Sequence, residues 1–110
     1  MTYKIRISPK AQDDLAEIKS YISQELCNPQ AATKLVSKIM ERIRGLSEFP
    51  EMGAPLSSVI DIHTEYRFLV CGNYLVFYRL EDGNVFVSRV IYGKRNYMRI
   101  LFGSLTVNGH

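Results

Sequence analysis

"EYRFLVCGNYLVFYRLEDGNVFVSRVIYGKRNY", residues 65–97, decides the fold. Three runs rich in aromatic and β-branched side chains, Thr64–Cys71, Tyr74–Leu80 and Val85–Tyr92, read as strands. Gly72-Asn73 and Asp82-Gly83 separate them, and both dipeptides favour two-residue hairpin turns. An antiparallel meander follows, in which Val70 faces Leu75 and Leu80 faces Val85, and the period of two sorts the side chains. One face carries Tyr66, Phe68, Val70, Leu75, Phe77, Arg79, Phe86, Ser88, Val90 and Tyr92. The other carries Arg67, Leu69, Tyr74, Val76, Tyr78, Val85, Val87, Arg89 and Ile91. The first, more aromatic face is expected to pack on the preceding helices. The second is too apolar for water, and either a partner or the chain's own C-terminal tail is expected to cover it.

Upstream, Thr2–Ile7 alternates apolar Tyr3, Ile5 and Ile7 with Lys4 and Arg6, the pattern of a short strand. Ser8-Pro9 and Asn28-Pro29 each combine a side-chain cap with a proline suited to the first helical turn. Ala11, Leu15, Ile18 and Ile22 form one helical stripe; Ala32, Leu35, Val36, Ile39, Ile43 and Leu46 form a second. The short link between them predicts an antiparallel helical hairpin. Ser47–His63 has no sustained period and reads as the longest loop, with three acidic residues and no Lys or Arg. Residues 94–102 read as a short final helix with Tyr97, Ile100 and Leu101 on one side, and Gly103 stops it. A single domain over 1–103 and a flexible tail over 104–110 are expected.

At 46% hydrophobic and 23% charged residues, the 110-residue chain can bury a core, which argues against disorder. Its formal charge of +3 is unevenly spread: residues 1–62 balance eight Lys/Arg with eight Asp/Glu, whereas from Gly83 onward there are four basic residues and no acidic one. Such a field suits a polyanionic partner, either nucleic acid or an acidic protein. Cys27 and Cys71 form no CxxC, and His63 and His110 sit at no ligand spacing, so neither a disulfide framework nor a metal site is expected. No cofactor motif occurs: a P-loop, GxGxxG, GxSxG and HExxH are all missing. The lack of any long apolar run implies no membrane span, and the unpaired thiols fit the cytoplasm.

The candidate chemistry therefore lies in the basic and aromatic set Arg67, Arg79, Arg89, Lys94, Arg95, Tyr97 and Arg99. Guanidinium groups fork onto phosphates and could stabilise the charge of a phosphorane. The same groups could instead anchor salt bridges, the role expected of Arg79.

The order strand, two helices, long loop, meander and basic C-terminal segment resembles the RelE/ParE superfamily of toxins from type II toxin–antitoxin modules. The resemblance is carried by "ISPKAQDDLAEIKSYI" at 7–22, "FPEMGAP" at 49–55 and the meander at 65–97. It implies an α+β fold: a short N-terminal strand, an antiparallel helical hairpin packed on a mainly antiparallel four-stranded sheet, and a short C-terminal helix. It also implies a plasmid-stabilisation type of toxin that arrests bacterial growth until a cognate antitoxin binds. On that reading the antitoxin would cover Leu69, Val76, Tyr78 and Val87 of the second sheet face. The RelE-like branch cleaves mRNA in the ribosomal A site, and its working residues would map to Arg67, Arg95 (or Arg89) and Tyr97, with Tyr97 or Lys94 assisting proton transfer. The ParE-like branch poisons DNA gyrase, for which Arg89, Lys94, Arg95, Tyr97 and Arg99 would form the target-binding set. The lysine-free loop, the "FPEMGAP" motif, and Tyr92 where related sequences often carry histidine, favour the ParE-like branch.

Overall fold

Two side-chain caps organise the N-terminal half of the computed structural model, which describes residues 2–102. Ser8 Oγ accepts from the Ala11 amide at 3.0 Å and starts α1 (Pro9–Ser20). Asn28 Oδ1 accepts from the Ala31 amide at 3.1 Å and starts α2 (Pro29–Gly45). Each cap satisfies an amide that the first helical turn leaves without an intrahelical partner, and each is followed by the proline expected there. Between the helices α1 widens into a π-helical turn, Tyr21–Glu25, and Cys27 reverses the chain with a φ of 51°. Both predicted stripes face inward: Ala11, Leu15, Ile18 and Ile22 pack against Ala32, Ile39, Ile43 and Leu46.

The sheet has five strands, one more than expected, in the order β1-β5-β4-β3-β2. These are β1 (Lys4–Ile7), β2 (Ala54–Pro55), β3 (Arg67–Cys71), β4 (Tyr74–Glu81) and β5 (Asn84–Tyr92). The extra strand is two residues long and pairs Ala54 with Phe68, and its proline suits a sheet edge. β1 runs parallel to β5, while β3, β4 and β5 form the predicted meander. Asp82 and Gly83 both have positive φ, at 49° and 76°, as a type I′ turn requires.

The helices cover the opposite face from the one expected. Leu69, Val76, Tyr78, Val85 and Val87 share one core with α1 and α2. Alternation groups residues onto a face, but it does not say which face the helices take. The smaller aliphatic side chains lie under the helices, at roughly 1.5–3 kcal/mol of burial energy each. Leu69, Val76, Tyr78 and Val87 are therefore interior residues, each 3% exposed or less, and cannot form the antitoxin-binding surface assigned to them from the sequence.

A β-bulge changes the pattern further. Tyr78 pairs with Val87 but Phe77 pairs with Arg89, so Ser88 is an extra residue on β5. Beyond it the alternation inverts: Val90 shares the core under the helices with Val76 and Tyr78, and Ile91 joins Phe77 on the other side, so each has changed the face-mates expected of it. The backbone groups around the bulge are met by α1. Ser8 Oγ donates to the Ser88 carbonyl at 2.8 Å, and the Asp14 carboxylate accepts from the Val90 amide at 2.9 Å.

The aromatic face carries a second core. Leu56, Phe77 and Ile91 are buried there beneath α3 (Tyr97–Phe102). Tyr97 lies over Phe77 with ring centroids 5.3 Å apart, and Phe102 meets Tyr66 edge-on at 5.8 Å. The C-terminal segment thus folds back on the first face, not the second. The expected tail at 104–110 lies outside the described residues.

Candidate functional site

Each of the seven basic and aromatic candidates has a definite position. Arg67 opens β3 and is bound to the "FPEMGAP" loop. Its Nε and one terminal nitrogen donate to the Gly53 carbonyl at 3.1 and 2.7 Å, and the same terminal nitrogen donates to the Glu51 carbonyl at 3.2 Å. Tyr78 closes the clamp from below: its hydroxyl accepts from the Gly53 amide at 3.0 Å and donates to the Pro50 carbonyl at 2.8 Å. Gly53 is required by this close approach, because a Cβ there would stand 2.5 Å from the Phe68 carbonyl oxygen and 2.7 Å from the Tyr78 hydroxyl.

Arg89 is also engaged. Its Nε and a terminal nitrogen form a two-pronged pair with Asp14, at 2.8 and 2.9 Å. Asp14 is the buried charged residue of the described chain, 6% exposed, and its hydrogen bond raises the arginine pKa above its ordinary value despite an opposing burial effect. The sequence held a signal for this pair. Asp14 sits on the apolar stripe of α1 between Ala11, Leu15 and Ile18, where an ionised carboxylate needs a buried partner. Arg79, as expected, pairs with Glu81 at 2.9 Å and lies over the Phe86 ring at 5.1 Å.

Lys94, Arg95 and Arg99 are different. All three are exposed, and no carboxylate among the described residues lies within ion-pair distance of any of them. The segment is shaped by its backbone: the Gly93 amide donates to the Asn73 carbonyl, the Arg95 amide to Tyr92, and Asn96 Oδ1 accepts from the Arg99 amide to cap α3. Tyr97 faces inward, half-buried on Phe77. Arg67 lies elsewhere. It shares a rung with Tyr78 and Val87, whereas the chain leaves β5 at the Cys71–Tyr74–Tyr92 end, four residues or ~13 Å away along the strand. The structure therefore leaves Lys94, Arg95 and Arg99 exposed and, among the described residues, unpaired, engages Arg67 and Arg89 with other groups of the protein, and sets Arg67 apart along the strand.

A cleft that sequence reasoning missed lies beside this segment. It has a volume of about 800 Å³ and runs between the π-helical turn and the Tyr74–Tyr92 rung, with Arg95 on one wall. The Tyr74 and Tyr92 rings lie 5.6 Å apart. Burial, and then the neighbouring Tyr92 and Tyr21 phenols, push the Tyr74 pKa above its ordinary value. The sequence held no signal for it: Leu26 continues the stripe at four residues beyond Ile22, and it is the π-helical turn before it that leaves it exposed. Cys71, whose thiol pKa burial also raises, lies in the core, and no group of three metal-ligating side chains forms among the described residues. No helix among them is long and apolar enough to cross a membrane.

Two solved structures share this α+β architecture. A chain from the chromosomal ParDE toxin–antitoxin system of P. aeruginosa superposes with a TM-score of 0.70 at 22% identity, covering 83% of this chain and 96% of that one. A chain of the toxin–antitoxin complex RelBE2 of Mycobacterium tuberculosis superposes with a TM-score of 0.60 at 21% identity, covering 84% and 99%. No curated protein sequence matches the chain. The sequence profile of the "ParE toxin of type II toxin-antitoxin system, parDE" matches residues 5–97. The chain belongs to the ParE toxin family, and so to the RelE/ParE superfamily of type II toxins.

Proposed function

We propose that this toxin inhibits DNA gyrase without cutting nucleic acid, docking through its exposed C-terminal segment, and that a cognate antitoxin neutralises it in the cytoplasm. One observation carries the reading. Among the candidate cations, those free to meet a target are Lys94, Arg95 and Arg99, whereas Arg67 and Arg89 already satisfy acceptors of the protein itself. An RNA-cleaving site needs several groups converging on one phosphate, with a proton donor and acceptor in reach. Arg67 holds a loop, and Tyr97 is turned into the second core. An uncompensated basic surface needs no such convergence to dock on an acidic protein. Membership of the ParE toxin family supports the same target.

The test is a supercoiling assay with purified gyrase. The wild-type chain should inhibit supercoiling, and Lys94→Ala/Arg95→Ala/Arg99→Ala should lose inhibition by at least tenfold while keeping its melting temperature, because all three side chains are exposed. A triple variant as inhibitory as wild type would overturn the proposed surface. Codon-linked mRNA cuts by the wild-type chain on translating ribosomes, with no effect on gyrase, would overturn the proposed target.

A further inference from the structure

The cleft beside Arg95 carries charge of the opposite sign to the C-terminal segment. Glu17 and Glu25 stand exposed on its α1 side, and neither has a cationic partner within ion-pair distance among the described residues. Asp14 at its base is already neutralised by Arg89, whose guanidinium also feels Glu17. The facing wall contributes one cation, Arg95, and the Tyr74–Tyr92 pair. Two free carboxylates therefore outnumber one guanidinium, in a chain whose formal charge is +3.

The rim is apolar. Tyr21 is 55% exposed and Leu26 59% exposed, although both are large side chains that burial would stabilise. We propose that this cleft is a docking site for a peptide segment in which a lysine or arginine is flanked by aliphatic residues. The cation would lie against the tyrosine rings and between the two glutamates, where ring faces and carboxylates both attract it. The aliphatic neighbours would cover Tyr21 and Leu26. Nucleic acid is a poor occupant, because phosphates would meet Glu17 and Glu25. A neutral apolar peptide would leave both carboxylates partly desolvated with nothing to pair them. A neutralising antitoxin is the natural source of such a segment; that identification rests on the functional reading above, whereas the chemistry of the cleft does not.

Phage-displayed random dodecapeptides panned on the full chain test the site without involving gyrase. Recovered peptides should be enriched in Lys or Arg next to Leu, Ile or Val. A synthetic peptide of that class should lose at least tenfold in affinity on Glu17→Gln/Glu25→Gln, and as much when its cation is replaced by norleucine. Tyr21→Ala, another exposed position, should weaken it as well, and circular dichroism of each variant checks that the fold is kept. Recovered peptides without cationic enrichment, or binding indifferent to the Glu17 and Glu25 changes, would overturn the proposal. Failure of gyrase inhibition would leave this outcome unaffected, and the reverse also holds.

Discussion

Asp14→Ala should cost about 3 kcal/mol of folding stability. The carboxylate is 6% exposed and receives three donors: Arg89 Nε at 2.8 Å, an Arg89 terminal nitrogen at 2.9 Å and the Val90 amide at 2.9 Å. Removing one partner of a buried ion pair costs about 3–5 kcal/mol, because the remaining charge is left desolvated. The Arg89 side chain keeps 22% exposure and can recruit water, so its share falls below that range, at roughly 2 kcal/mol. The orphaned Val90 amide adds on the order of 1 kcal/mol. At roughly 4–8 °C per kcal/mol for a domain of this size, the melting temperature should fall by about 12–24 °C. Urea unfolding followed by circular dichroism measures the cost directly. A cycle of Asp14→Ala, Arg89→Ala and the double variant isolates the pair, and the double variant should cost about 2 kcal/mol less than the sum of the singles. A cost below 1 kcal/mol for Asp14→Ala, or an additive cycle, would refute the clamp and return Arg89 to the pool of cations free to meet a target.

Two further outcomes follow from the geometry. Tyr78→Phe removes both the hydroxyl's bond to Pro50 and its acceptance from Gly53, and should cost about 1–2 kcal/mol in urea unfolding with the loop at 49–55 more accessible to protease. The raised pKa of Tyr74 means that the folded chain holds this proton more tightly than the unfolded chain, so stability is fully present below the ordinary value of 10.0 and falls as pH rises beyond it. Comparing urea midpoints of wild type and Tyr74→Phe from pH 9 to 11 should show wild type losing stability relative to the variant above pH 10, and parallel curves would contradict the shift.

Local signals were legible because they act over a few residues. The caps at Ser8 and Asn28, the prolines after them, both hairpin turns and the two aliphatic stripes each follow from chemistry within one turn of chain. The strand register near the turns follows for the same reason. What escaped is what depends on distant partners. Ser88 gives no local sign of being a bulge; its bulge is met by Ser8 and Asp14, more than 70 residues away. Which sheet face the helices cover is a global choice, and ring content was a poor guide to it because Tyr97 and Phe102 arrive later to fill the aromatic side. The candidate site was legible as composition and not as geometry. Arg67 and Arg89 looked equivalent to Arg95 in the sequence, and only their acceptors distinguish them.

The bulge is also what shapes the two surfaces of the toxin. Without the extra residue at Ser88, Ile91 would enter the core under the helices and Tyr92 would lie on the α3 side. With it, Tyr92 instead joins Tyr74 at the cleft, and Ile91 is placed under α3. Lys94 and Arg95 then leave the sheet at the boundary between the two faces. Of Lys94, Arg95 and Arg99, only Arg95 also lines the acidic cleft. A segment seated there would lie against Arg95, a guanidinium of the proposed docking surface. Occupation of the cleft would then oppose docking on an anionic target by the volume it fills beside Arg95. Neutralisation and target binding would be linked through a single side chain, whose position depends on an inserted residue seven positions earlier.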